Sequence, residues 1–281
     1  MYANNLVVCI FCINFVSVNF VKYFNFKMEK NTEKIVNQNV GITESSEIAF
    51  NLDAFDRLYD ANIIITKRLT NKLIDKIVEN KDKIILHVTC TGWGSSEIEP
   101  FVPTPETTRK KFGILIEKGF PIEQCVLRID PIIPMEEGIK RMQNVVQLFS
   151  DTGIKRVRFS VLDMYEHVKK RFNDKGIEIP YNTFHAPLSD RKRINDLLCG
   201  FGCEYNFDVE ACAEPGIESV SCLSQKDIDI LGLKDKIILK GNKGQRSNCL
   251  CPSNKKEILR GKDMAQQCLN SCIYCFWGNR E

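Results

Sequence analysis

An excess of charge of either sign is missing from this chain: 39 basic residues face 36 acidic ones, for a formal net charge of +3 across 281 residues. A balance that close gives no global pull toward nucleic acid or an anionic membrane. Internal repeats, Pro- or Ser-rich linkers and low-complexity tracts are also absent, which argues for one folded domain with an extension. Histidine is scarce, at three residues. His87 alternates with apolar positions and reads as a satisfied sheet residue, while His167 and His185 read as helix-surface and loop residues. A long hydrophobic run is lacking as well. Residues 6–21 (LVVCIFCINFVSVNFV) fall short of the ~20 residues of a spanning helix and are interrupted by Asn14, Ser17 and Asn19. No basic start or small-residue cleavage site marks a secretory signal, and Met28 opens a polar stretch resembling an ordinary cytosolic start. An upstream extension, a membrane anchor and a packed core segment all remain open for that run. Its Cys9 and Cys12 read as buried thiols acting as small hydrophobes.

What is present is enough apolar mass for a core of ordinary size, 43% hydrophobic against 27% charged, together with thirteen cysteines. A chain this large folds without disulfide staples, so many thiols point to metal or redox chemistry in a reducing, cytoplasmic setting. Seven of the thirteen lie after residue 210.

From about residue 60 strand-like and helix-like segments alternate. Residues 61–66, 83–91, 126–133, 156–162, 204–210 and 236–239 (KIIL) read as strands. Residues 69–78, 104–119, 135–149, 190–198 and 226–233 read as helices, one opened by Thr104, Pro105 and Glu106 as cap, first-turn proline and first-turn acid. Right-handed crossovers between such strands build a parallel sheet. The fold class expected is α/β, a partial (βα) barrel over 58–240, preceded by an extension over 1–57 and followed by a cysteine-rich segment over 241–281. Chemistry in such sheets gathers at the C-terminal ends of the strands, where residues 90–94, Asp130 and Asp163 fall.

The last segment, residues 268–277, reads CLNSCIYCFW. Three thiolates from Cys268, Cys272 and Cys275 at C-x3-C-x2-C can wrap a loop around an iron–sulfur cube and hold three of its irons. A closed cluster takes four cysteines, so the fourth iron is left open. Zinc is the alternative: Cys272 and Cys275 have zinc spacing, and Cys249 with Cys251 would complete four thiolates, which leaves Cys268 without a role. Cys212, Cys222, Cys249 and Cys251 have the wide spacing of ligands gathered from separate loops, enough for a closed auxiliary 4Fe-4S cluster, or for burial or zinc. Cys90, Cys125, Cys199 and Cys203 lie beside apolar runs and read as core. Arg128 and Asp130 alternate on one strand and share a face, suited to a substrate carboxylate or phosphate or to a structural ion pair.

The triplet, with Tyr274 as its aromatic, resembles the C-x3-C-x-aromatic-C motif of radical S-adenosylmethionine enzymes, although there it usually lies near the N-terminus. Further segments resemble the domain of unknown function 1848 family, whose members are similar to those enzymes but carry the triplet last. They are residues 91–100 (TGWGSSEIEP), 128–133 (RIDPII), 159–165 (FSVLDMY), 212–217 (CAEPGI) and 244–251 (GQRSNCLC). The family's N-terminal strand, with its S-R-R-T-D-I-P signature, is not visible in residues 1–60, and Phe-Trp-Gly follows the triplet in place of Tyr-Ala-Asn. The resemblance implies a 4Fe-4S cluster on Cys268, Cys272 and Cys275. The open iron would be chelated by S-adenosylmethionine, which is cleaved to a 5′-deoxyadenosyl radical with an electron from a donor such as ferredoxin or flavodoxin. It also implies that the Gly92 and Gly94 turn lets backbone approach that ligand, that Glu97 or Glu99 meets its ammonium, and that Ser160 and Asp163 meet its ribose hydroxyls. A non-catalytic iron–sulfur or zinc module for electron transfer or structure is the alternative. The substrate is not legible.

Overall fold

The computed structural model describes residues 36–242, 248–259 and 268–277. The apolar run at 6–21, with Cys9 and Cys12, lies outside the described residues. Among them no helix is long and apolar enough to cross a membrane.

Eight parallel strands form one sheet, β1 (Val40–Ile42), β2 (Asn62–Thr66), β3 (Ile84–Thr89), β4 (Cys125–Ile132), β5 (Arg156–Val161), β6 (Asp208–Cys212), β7 (Ser219–Val220) and β8 (Lys255–Glu257). Their spatial order is 7-6-5-4-3-2-1-8, so successive strands are neighbours and only β8 returns, to pair with β1. The sheet curls into a half-barrel, as the alternation of strands and helices implies. It draws strands from outside 58–240 on both sides: β1 precedes that stretch and β8 follows it. The expected strand at 236–239 does not form. Ile237 N donates back to Leu233 O in a turn, and Lys236 O and Ile238 N are tied to the Gln38 side chain.

Helices cover the outer face: α1 (Asn71–Glu79), α2 (Pro105–Glu117), α3 (Glu136–Phe149), α4 (Glu166–Asp174) and α5 (Leu188–Tyr205), while the short α6 (Gln225–Ile230) lies on the other side of the sheet, where its Asp227 meets Arg156. Thr70 caps α1, accepting from Leu73 N at 3.1 Å, and Leu73, Ile74 and Ile77 form its buried stripe. Thr104 caps α2 in the same way ahead of Pro105. Val88, Leu127 and Val157 lie side by side across three strands and belong to the main apolar core. Each such residue contributes about 1.5–3 kcal/mol when fully buried.

The opposite face of the sheet is buried too, and there polar and charged residues lie beside Ile63, Ile85 and Val126. Thr89, Arg128, Arg158 and Glu210 pair in one row across β3 to β6. Arg156 and Arg158 are 2% and 0% exposed and share the Glu210 carboxylate, and Arg156 also meets Asp227 at 2.7 Å. Charge is tolerated there because it is paired and hydrogen-bonded. The chain after β6 folds over this inner face, with Cys222 O accepting from Arg158 at 2.8 Å.

Candidate functional site

The cysteine triplet lies over the C-terminal ends of the strands. Loops that leave four of them brace it. After β1, Glu47 accepts from Asn270 Nδ2 at 3.2 Å; after β2, Arg68 reaches Asn270 Oδ1 at 3.5 Å. After β3, Ile98 O accepts from Ile273 N at 3.1 Å, and after β5, Arg171 on α4 donates to Cys275 O at 2.5 Å. Ser271 turns the chain between Cys268 and Cys272 with φ 49°, a left-handed conformation uncommon outside glycine.

Glu99 is the hub beneath the triplet. It is 1% exposed; Thr91 Oγ1 donates to its Oε2 at 2.6 Å, while Lys67 Nζ at 2.9 Å and the Tyr274 hydroxyl meet its Oε1. Tyr274 also shares a hydrogen bond with Cys272, and Lys67 reaches Asp130 O at 3.4 Å. Of the two acids expected to meet an ammonium group, Glu97 is exposed and Glu99 already carries Lys67 as its cation. Burial raises the Cys272 thiol above its ordinary value, and Lys67 opposes that. Burial raises Cys268 as well. Arg171 lies within electrostatic reach of Cys275 and Cys272. Two cations beside three thiols suit a donor set that must hold several negative sulfurs in a poorly solvated place.

The glycines of the 91–100 turn serve the protein's own backbone. Gly92 has φ +87°, and a Cβ there would meet Arg141 Cβ at 2.7 Å; Arg141 donates to Gly92 O at 2.8 Å. A Cβ on Gly94 would meet Pro103 O at 1.9 Å. These glycines permit a close approach of the turn to α3 and to residue 103. Ser160 donates to Asp130, which is paired with Arg128, and Asp163 meets His185 Nδ1 at 2.8 Å. The polar groups expected to meet ribose hydroxyls have these protein partners.

A second group of thiols forms nearby. Cys212 ends β6, and its sulfur is 3.4 Å from that of Cys222. Cys251 shares hydrogen bonds with Cys222 and Cys249. The ligand atoms of Glu44, Cys222 and Cys251 lie within 4.8 Å of one another. Arg128 donates to Cys222 Sγ at 3.7 Å, and Lys255 holds both oxygens of Glu44 at 2.9–3.0 Å. Hydrogen bonds from Cys212 and Cys251, aided by Arg128, hold the Cys222 thiol well below its usual range despite burial. Cys249 and Cys251 thus group with Cys222, and Cys272 with its own neighbours Cys275 and Cys268; the mixed zinc set of Cys249, Cys251, Cys272 and Cys275 is not the grouping found.

Other thiols and histidines divide less evenly than their sequence surroundings suggest. Cys90 and Cys125 are core, and burial pushes Cys90 up to about 12. Cys199 and Cys203 are exposed, because α5 buries Arg191, Ile194, Leu198 and Gly202 and these two thiols lie off that stripe. His87 faces the charged inner face, fully buried, and neither ring nitrogen has a hydrogen-bond partner among the described residues. It is not the satisfied sheet residue its position suggests.

Sequence reasoning missed Glu44, Glu47 and Lys67. Lys67 directly follows β2, and Glu44 and Glu47 lie two and five residues past the end of β1, in the strand-end loops where such sheets carry chemistry, which is the one signal available for them.

A half-barrel of parallel strands with cysteine-bearing loops over its C-terminal mouth defines the class of fold and site. The chain belongs to the family described as Domain of unknown function (DUF1848), whose model matches residues 19–277. No curated protein and no solved structure matches the chain.

Proposed function

We propose that this protein is an iron–sulfur protein of the radical S-adenosylmethionine type, with Cys268, Cys272 and Cys275 holding a 4Fe-4S cluster. The observation that carries the reading is the position of the triplet, three thiols on one loop over the strand ends, with Lys67 and Arg171 beside them. The donor set fits the group, since three thiolates leave one iron of a cube without a protein ligand. Such a cluster, when bound, supplies an electron to a sulfonium cosubstrate chelated at the open iron and so yields a carbon-centred radical.

The chain's own residues have definable tasks. Tyr274 and Lys67 hold Glu99 and, through it, fix the 91–100 loop against the triplet. Lys67 and Arg171 offset thiolate charge, and Ile98 O pins the loop at Ile273 N. Asp130 and Ser160 present a charged edge that Arg128 anchors from below. An external one-electron donor is required; a ferredoxin or flavodoxin suits the role.

Anaerobic reconstitution tests the reading. Iron and sulfide at the triplet should each approach about four per chain. The electron paramagnetic resonance signal of the reduced protein should change on adding S-adenosylmethionine and vanish in Cys272→Ala. An unaltered signal refutes the cosubstrate, and a chain that takes up no iron refutes the cluster. A non-catalytic metal-binding role is the second reading, favoured by the separate cluster of Glu44, Cys222 and Cys251.

A further inference from the structure

We infer that Glu44, Cys212, Cys222 and Cys251 form a site for a single thiophilic divalent ion of the zinc class, separate from the triplet. Four sulfurs at about 2.3 Å from one tetrahedral zinc lie about 3.8 Å apart. Glu44, Cys222 and Cys251 keep all their ligand atoms within 4.8 Å of one another; Cys212 stands outside that group of three but its sulfur is 3.4 Å from that of Cys222, so a small shift of Cys212 brings in the fourth donor. The ligands of a cube sit on four different irons and so stand further apart than those around one ion, which favours a single ion over the auxiliary cluster expected from the same cysteines. Thiolates select zinc over harder cations such as magnesium or calcium, and a carboxylate is an accepted zinc ligand.

Three of the four donors are already gathered without an ion, and the fourth adjoins them. Cys212 ends a strand and is 4% exposed, Cys222 is 4% and Cys251 0% exposed. Glu44 follows β1, and Lys255 on the adjoining β8 orients its carboxylate through two hydrogen bonds. Arg128 points a guanidinium N–H at Cys222 Sγ. Outer partners of this kind fix ligand orientation in metal sites. His87, fully buried and with neither ring nitrogen hydrogen-bonded among the described residues, shares the inner face with Arg128 and is electrostatically coupled to Cys222. Cys249 touches Cys251 and is partly exposed; it is placed outside the ligand set.

The test uses the full chain with Cys268, Cys272 and Cys275 all replaced by Ala, supplied with zinc alone. About one zinc per chain is expected, with X-ray absorption giving three sulfurs and one oxygen. Zinc content should fall at least tenfold on adding Cys222→Ala or Cys251→Ala, fall also with Cys212→Ala, and persist with Cys249→Ala. Should the triple variant fail to fold, the otherwise intact chain produced without iron serves: Cys272→Ala should keep the zinc and Cys222→Ala should lose it. Zinc retained after Cys222→Ala, a Cys212–Cys222 disulfide in metal-free protein, or iron with inorganic sulfide in the triple variant would each overturn the inference. The outcome is independent of whether the triplet binds its cluster.

Discussion

The two groups of thiols are built in opposite ways. Cys268, Cys272 and Cys275 fall within eight consecutive residues, and one loop presents them while the strand-end loops serve as braces. Glu44, Cys212, Cys222 and Cys251 span more than two hundred residues and meet because the sheet sets β1 against β8 and the chain after β6 folds across its inner face. The first group is a local motif that needs the half-barrel for support; the second exists only when β8 has joined β1 and the chain after β6 has folded across the inner face. In both, a non-glycine residue in the left-handed conformation lies beside a cysteine, Ser271 before Cys272 and Ala213 after Cys212. Each bends the chain sharply where a sulfur has to be aimed. A contact path also joins them. It runs from Cys272 through Tyr274 to Glu99 and Lys67, then by Asp130 and Arg128 to Cys222.

The contrast predicts separable damage. The largest effect is expected from Cys272→Ala, which should drop iron at the triplet from about four per chain to near zero while zinc at the second group is unchanged; joint loss in a folded protein would break the comparison. Glu210→Gln comes next. It strips Arg156 and Arg158 of a shared buried carboxylate and should cost about 3–5 kcal/mol in urea unfolding, and it should weaken zinc binding more than iron binding, because Arg158 also holds Cys222 O. The pH dependence has a definite sign. Burial alone would raise Glu210, but Arg158 and Arg156 prevail and hold it below the ordinary carboxylate value. Its stabilisation is therefore full above the unfolded value of about 4.3 and is lost as pH falls through the lower folded value. Glu210→Gln should flatten that part of the stability–pH curve.

Gly94→Ala places a Cβ against the Pro103 carbonyl, a backbone atom that cannot step aside cheaply. About 1–3 kcal/mol of stability should be lost, and the 91–100 loop that pins Ile273 should loosen, lowering cluster yield but leaving zinc intact. Tyr274→Phe is milder, about 1 kcal/mol, since Glu99 keeps Lys67 and Thr91. Its informative readout is the cluster's reduction potential, which should shift when the hydroxyl near Cys272 is removed. Smallest of all, Cys199→Ser on the exposed side of α5 should change stability by less than about 0.5 kcal/mol and neither metal.

The comparison also explains what was legible in the sequence. β2 to β5 announce themselves because each carries a dense apolar run, and α1 to α3 because their caps and stripes are local. The triplet is legible for the same reason. β8, with the sequence Lys-Lys-Glu, carries no apolar signal at all, and its pairing with β1 is set by tertiary closure. The apolar residues at 236–239 suggested a strand that side-chain bonds to Gln38 replace. Glu44 and Lys67 look like ordinary surface charges until closure supplies Lys255, Cys222, Glu99 and Tyr274. Cys199 and Cys203 are exposed although apolar residues flank them, because those neighbours say nothing of which side of a helix a thiol occupies.

The most direct test of the central claim looks at the iron that the proposed cluster would leave without a protein ligand. The reduced, reconstituted protein is mixed with S-adenosylmethionine carrying 15N in its amino group, and electron–nuclear double resonance is recorded on the cluster signal. The account predicts a 15N hyperfine coupling that is absent with unlabelled cosubstrate. A cluster signal that shows no such coupling, in protein with full iron occupancy at the triplet, would contradict it.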